Sequence, residues 1–154
     1  GICVIGGTKV DAERLETALQ LGAAEALYAD GEGFPENCLK FTGGRGFDVA
    51  IECAGAARSA DTCLRVLRKT GRYIQIGLYG KPVSFDHDLA LKKEISITNG
   101  FTSTKTSWQR ALRLIQYGRV NVRPLISSIL PLEQWEKGFE MATNKEGCKI
   151  LLRP

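Results

Sequence analysis

Short apolar runs alternate along this chain with stretches in which apolar residues recur three and four positions apart. Ile2 to Ile5 is a run of strand length, closed by Gly6-Gly7-Thr8-Lys9. Behind it, Leu15, Ala18 and Leu19 share one helical face. Asp11 suits the N-cap of that helix, Glu13 its first turn, and Gly22 a left-handed C-terminal cap. Glu25 to Tyr28 reads as a short strand. A polar excursion over residues 31 to 46 holds a brief helix at Glu36 to Phe41, and Phe47 to Glu52 reads as a strand buried on both sides toward its end.

The alternation continues. Ser59 is placed to cap a helix whose core stripe is Ala60, Cys63, Leu64 and Leu67, with Gly71 ending it. Tyr73 to Ile76 and Ile95 to Thr98 read as strands, Val83 to Phe85 as a short edge strand, and Leu89 to Lys93 as a turn of helix. Beyond Phe101 two helices are expected, near Ser107 to Tyr117 and Leu132 to Ala142, the second with Pro131 in its first turn. Lys149 to Leu152 reads as a terminal strand. Strands separated by helices predict an α/β fold with a parallel sheet covered on both faces.

In open parallel sheets, ligands sit beyond the carboxyl ends of the strands. Here those ends are Gly6-Gly7-Thr8-Lys9, Cys53-Ala54-Gly55, Gly77-Leu78-Tyr79 and Asn99-Gly100-Phe101. Glycine or another small residue stands at each, as close backbone approach to a flat ligand requires. Two other glycine patterns carry no phosphate site. The run from Gly1 to Thr8 has Gly7 where a phosphate-loop lysine belongs, and "GGRG" at 43 to 46 precedes a strand instead of following one.

Composition narrows the chemistry. The 154 residues are 44% hydrophobic and 25% charged, within the range of globular domains. The net charge of +4 comes from scattered basic residues, the densest group, Arg65 to Lys69 with Arg72, reading as the solvated end of a helix. No basic stripe interleaved with aromatics supports nucleic-acid binding, and no apolar run has the length of a membrane span. Five cysteines without a C-x-x-C pair argue against a disulfide framework and suit a reducing, cytoplasmic setting. His87, the one histidine, reads as a solvated loop residue, and Glu52 is a lone carboxylate at a strand end. Neither supports a catalytic set, and no metal ligand is assigned. Gly1 at the start, with Met141 the one methionine, reads as a cut or processed chain.

The segments "DAERLETALQLGA", "FTGGRGFDVAIECAGA", "LRKTGRYIQIGLYGKPV", "ITNGFTSTKTSWQRALRLIQYG" and "PLEQWEKGFEMATNKEGCKILL", in this order, resemble the zinc-containing medium-chain alcohol dehydrogenases. The polyol and threonine dehydrogenase branch is the nearest in pattern. The resemblance implies a Rossmann-like parallel sheet with flanking helices, entered at its second strand. The first strand, the GxGxxG loop and the catalytic-zinc ligands are then expected outside this chain. It also implies a partial dinucleotide-binding domain over residues 1–101. Residues 102–154 would form a C-terminal segment that in the family returns to the catalytic domain.

Carried over residue by residue, the resemblance puts Gly6, Gly7, Thr8 and Lys9 at the adenosine ribose and Cys53, Ala54 and Gly55 on the adenine side. Ile76, Gly77 and Leu78 pass under the nicotinamide and its ribose, Gly100 and Phe101 meet the carboxamide, and Lys149 faces the pyrophosphate. NAD-preferring members end the second strand with an acid. Gly7-Thr8-Lys9 carries none, which favours NADP over NAD, since a 2′-phosphate is repelled by carboxylates and attracted by Thr8 and Lys9. The implied function is the cofactor-binding part of an alcohol or polyol dehydrogenase, inactive by itself, with a small alcohol as substrate and a homo-oligomeric parent. A zinc-free reductase of the same superfamily, or a non-catalytic dinucleotide-binding or assembly module, stands as the alternative.

Overall fold

The computed structural model describes residues 1, 3–31 and 34–154, with residues 3 and 4 described by their backbone alone. They form two compact units, one of residues 1–30 and 103–154 and the other of residues 31–102. All strand ladders are parallel.

In the first unit, β1 (Cys3–Gly6) pairs with β2 (Glu25–Tyr28), and α1 (Ala12–Gln20) connects them and packs on both. The strand expected from Ile2 is thus found over Cys3–Gly6, and Ile2 itself lies outside the described residues. Leu15, 5% exposed, fills the space over Gly6, where a Cβ would come within 3.0 Å of its Cδ1. Gly22 takes φ +100° after the last turn of α1, the left-handed cap its position predicts.

The C-terminal part of this unit holds an unpredicted strand. A short 3-10 turn at Arg123–Leu125 leads into β6 (Ile126–Pro131), which pairs with β7 (Lys149–Arg153). Pro131 ends that strand instead of opening a helix. A second 3-10 turn, Leu132–Gln134, precedes α6 (Trp135–Thr143), which packs on β7 through the buried Gly138, close to Leu152 and Leu130. Between β2 and β6 in the chain, α5 (Lys105–Gln116) is capped by Thr104, whose hydroxyl accepts from the Ser107 amide at 3.2 Å. No residue of α5 is buried.

The second unit contains α2 (Glu36–Phe41) and a three-stranded sheet, β3 (Phe47–Glu52), β4 (Leu67–Gln75) and β5 (Ser96–Asn99), in that order. α3 (Ala57–Val66) joins β3 to β4, and α4 (His87–Lys92) precedes β5. Its core is Ala60, Cys63, Leu64, Leu67, Tyr73 and Ala90, with Phe47, Phe85, Leu89 and Ile95 packed around.

Several local expectations fail here for identifiable reasons. α3 starts at Ala57, so Ser59 lies inside it and caps nothing. It ends at Val66, because Leu67 turns to φ −70°, ψ 142° and opens β4. Lys93 accounts for that early stop: its ammonium donates to the carbonyls of Leu64, Arg65 and Leu67 at 3.0, 2.6 and 2.7 Å. Of the basic cluster, Arg65 stands exposed in the last turn of α3 as expected, whereas Arg68, Lys69 and Arg72 belong to β4. Arg65 pairs with Asp61 in α3, and Arg68 with Asp48 across β3 and β4. Ile51 is 58% exposed, so β3 is not covered on both sides, and Val83 to Phe85 forms no strand.

Candidate functional site

The tip of β3 is built around a carboxylate. Glu52 is fully buried, and its Oε1 accepts from the amides of Ala54 and Gly55 at 2.9 and 3.0 Å. Its Oε2 accepts from the same Gly55 amide at 3.1 Å and from Gln75 Nε2 at 2.7 Å. Gln75 also donates to the Gly77 carbonyl at 2.5 Å. Its own Oε1 accepts from the Tyr79 hydroxyl at 2.8 Å and from the Tyr73 hydroxyl. A buried carboxylate is tolerated when its lone pairs are filled in this way.

This network draws two strand tips together. The Ile76 and Gly77 amides both donate to the Glu52 carbonyl, at 2.9 and 3.0 Å. Gly55 adopts φ +65°, and a Cβ there would overlap the Leu78 carbonyl, while one on Gly77 would overlap the Gly55 amide. Two backbones meet where only hydrogen fits between them. Next in the sheet, the Gly100 amide donates to the Gln75 carbonyl at 2.9 Å, and a Cβ on Gly100 would crowd Ile76. Cys53, Ala54, Gly55, Ile76, Gly77, Leu78 and Gly100 therefore share one edge of the second unit. Exposed Ile76, Leu78 and Phe101 give that edge an apolar surface.

The cysteines there are electrostatically quiet. Burial pushes the Cys63 thiol up to about 12, with the Glu52 charge adding to it. Burial and then Glu52 also raise the Cys53 thiol. Burial raises the Tyr73 hydroxyl as well. His87 is exposed at the start of α4, with its ring 6.4 Å from that of Phe85.

Gly6, Gly7, Thr8, Lys9 and Lys149 belong to the first unit. The turn is closed by a capping box: the Thr8 hydroxyl accepts from the Val10 amide, and Asp11 Oδ2 accepts from the amides of Gly7 and Thr8 at 2.9 and 3.3 Å. Asp11 occupies the residue before α1 but makes no cap bond to that helix, contrary to expectation. Partial burial pushes its carboxyl up, but the two amides and Arg14 outweigh this and hold it below the ordinary carboxylate range. Lys149 opens β7 on the rim of an open cleft of about 280 Å³, which Arg14, Lys145, Glu146 and Phe139 also line.

Glu52 was legible as a carboxylate ending an apolar strand before three small residues, but its partner Gln75 lies 23 positions away. Among the described residues no three of His, Cys, Asp and Glu converge, so they offer no zinc site. No helix among them is long and apolar enough to cross a membrane.

Comparison with known proteins agrees with this architecture. The sequence profile of zinc-binding dehydrogenases matches residues 1–117. Sorbitol dehydrogenase of Halalkalibacterium halodurans is 31% identical, over 100% of this chain and 45% of its own length. L-threonine 3-dehydrogenase of Bacillus licheniformis is 30% identical, over 92% and 41%. The structure of L-idonate 5-dehydrogenase from Escherichia coli superposes with a TM-score of 0.85 at 26% identity, over 98% of this chain and 42% of that one. The chain thus spans less than half the length of these relatives. It belongs to the zinc-binding dehydrogenase family.

Proposed function

We propose that this chain is the dinucleotide-binding portion of an NAD(P)-dependent alcohol or polyol dehydrogenase. The observation that carries the reading is the shared edge of the second unit, where Glu52 and Gln75 hold Cys53–Gly55 against Gly77–Leu78 beside Gly100. Glycines too crowded for a side chain and exposed apolar neighbours suit a flat, partly aromatic ligand lying on backbone.

A bound nicotinamide dinucleotide supplies the hydride acceptor or donor at its ring C4, opposite a secondary alcohol or ketone. In this reading Ile76, Gly77 and Leu78 support the nicotinamide and its ribose, and Gly100 and Phe101 offer backbone groups to the carboxamide. Cys53, Ala54 and Gly55 border the adenine side. Gly6, Gly7, Thr8 and Lys9 take the adenosine ribose, and Lys149 the pyrophosphate. The family's zinc would polarise the alcohol oxygen, but the described residues do not fit it, and none is assigned to it.

Thr8 and Lys9 favour a 2′-phosphate over a bare ribose. The test is the affinity of the full-length protein for NADPH and NADH, with Lys9→Asp beside it. The expected result is preferred NADPH binding that Lys9→Asp weakens by roughly tenfold or more. Unchanged NADPH binding in that variant refutes the assignment of the turn.

A further inference from the structure

One amide side chain pins the loop that follows β4 at two points. Residues 76–86 form neither helix nor strand, so side-chain bonds carry much of their definition. Gln75, the last residue of β4, donates from Nε2 to the Gly77 carbonyl at 2.5 Å and accepts at Oε1 from the Tyr79 hydroxyl at 2.8 Å. Nε2 also donates to Glu52 Oε2 at 2.7 Å, and the Tyr73 hydroxyl donates to Oε1 beside that of Tyr79.

A glutamine carries two N–H donors and two acceptor lone pairs on one planar group, and here every one is taken. A glutamate in its place brings no hydrogen for the Gly77 carbonyl and sets a second carboxylate against buried Glu52. A methionine keeps the length and strands all the partners. Glu52 also fixes which way the amide faces, because a carboxylate only accepts. Nε2 is thereby turned to Gly77 and Oε1 to the tyrosines.

The tyrosines give this amide a firm base. Tyr73 is 3% exposed in the core of the second unit, and Tyr79 packs against that core with its hydroxyl 3.3 Å from that of Tyr73. Gly77 and Tyr79 are thus both tied to Gln75, while Leu78 between them is 72% exposed. Across the gap, Glu52 keeps its own bonds to the Ala54 and Gly55 amides. Cys53–Gly55 therefore has a brace that does not depend on Gln75.

We propose that Gln75 is a positioning residue for the nicotinamide half of the cofactor: by holding the Gly77 carbonyl and the Tyr79 hydroxyl with one amide, it sets the height and tilt of the Gly77–Leu78 backbone on which that ring lies. The inference rests on the reading of Ile76, Gly77 and Leu78 as the nicotinamide support. It goes further by assigning the geometry of that support to a side chain packed with the core tyrosines. A pre-ordered support leaves less ordering to be done on binding, so loss of the amide falls on the nicotinamide and spares the adenosine half.

The experiment compares each reduced cofactor with its fragment lacking nicotinamide, on the full-length protein: NADPH beside 2′-phospho-ADP-ribose, and NADH beside ADP-ribose. Dissociation constants come from calorimetry, and the emission of the bound dihydronicotinamide is recorded for wild type, Gln75→Met, Tyr79→Phe and Leu78→Ser. Gln75→Met should weaken both cofactors roughly tenfold and both fragments by no more than about threefold, and should reduce the emission change seen on binding to wild type. Tyr79→Phe, which leaves the Tyr73 hydroxyl on Oε1, should weaken the cofactors by about threefold with the fragments unchanged. A merely structural role weakens cofactor and fragment alike and overturns the proposal. So does a cofactor-to-fragment affinity ratio that Gln75→Met leaves unchanged. If Gln75→Met does not fold, Tyr79→Phe decides, and an unchanged ratio there overturns it. Leu78→Ser separates the two levels, since the Leu78 side chain belongs to the support and not to the network. If Leu78→Ser lowers the ratio while Gln75→Met leaves it intact, this inference alone fails. If neither variant moves the ratio, the nicotinamide assignment of Gly77 and Leu78 fails and this inference with it.

Discussion

The Gly55 amide donates to both carboxylate oxygens of Glu52, at 3.0 and 3.1 Å. A residue at the end of a strand thereby dictates the backbone three positions later, at the point where the chain turns into α3. The same carboxylate receives Gln75 from the neighbouring strand, so one charge fixes two strand tips. Glu52→Gln keeps the shape but loses the charge and one acceptor, and buried donors lose a charge-assisted partner. The expected cost is about 1–3 kcal/mol, read from the denaturant midpoint at unchanged slope. Wild-type stability in Glu52→Gln would show that the network is not what holds the tips.

Gly55 tests the same edge through its backbone. At φ +65° with the Leu78 carbonyl in the way, Gly55→Ala meets both conformational strain and overlap. The two together cost more than the roughly 1–3 kcal/mol of positive-φ strain alone. Gly80, also at positive φ but in open space, is the control: Gly80→Ala should show the strain alone. Equal losses at the two positions would mean that the tips are not in contact in solution.

How much of this was legible depends on how local each signal is. Glu25–Tyr28, Glu36–Phe41 and Phe47–Glu52 were read to the residue, because each run is bounded by its own turn residues. The strand at Ile126–Pro131 was missed because Ser127 and Ser128 interrupt its apolar alternation. Ser127 is explained only by its bond to Cys148, 21 positions on. The end of α3 was misread for the same reason: Leu67 continues the apolar stripe, and the ammonium that stops the helix belongs to Lys93. The residues of the candidate site were visible as small residues at strand ends. Their braces were not: Gln75 meets Glu52 from the neighbouring strand, 23 positions away, and Arg14 donates to carbonyls 131 and 133 positions on.

The four described cysteines should differ sharply in reactivity. Cys148 and Cys53 are exposed, Cys38 and Cys63 buried. The thiolate is the nucleophile, and burial with the Glu52 charge disfavours it at Cys53 and, more strongly, at Cys63, up to about 12. At pH 7.5 an alkylating reagent should label Cys148 first and Cys53 more slowly, leaving Cys63 and Cys38 for the unfolded chain. Site-resolved mass spectrometry checks the order, and Glu52→Gln should speed Cys53. Early labelling of Cys63 would contradict the core as described.

Acid should loosen the two units through different carboxylates. Hydrogen bonds from Arg68 and then Arg45 hold the Asp48 carboxyl below its ordinary value, and the Thr8 and Gly7 amides with Arg14 do the same for Asp11 against its partial burial. For a folded pKa below the unfolded one, the unfolded chain binds more protons through the window between them. The stabilisation is therefore complete above the unfolded value of about 3.9 and disappears as pH falls through the folded value. Urea midpoints measured from pH 6 downward should hold steady and then drop below about pH 4. Asp48→Asn and Asp11→Asn should each flatten that drop while lowering the plateau above it. Salt should erase the Asp48 contribution more readily, because that pair is the more exposed to screening. Slopes that stay parallel to wild type in both variants would remove these carboxylates from the acid transition.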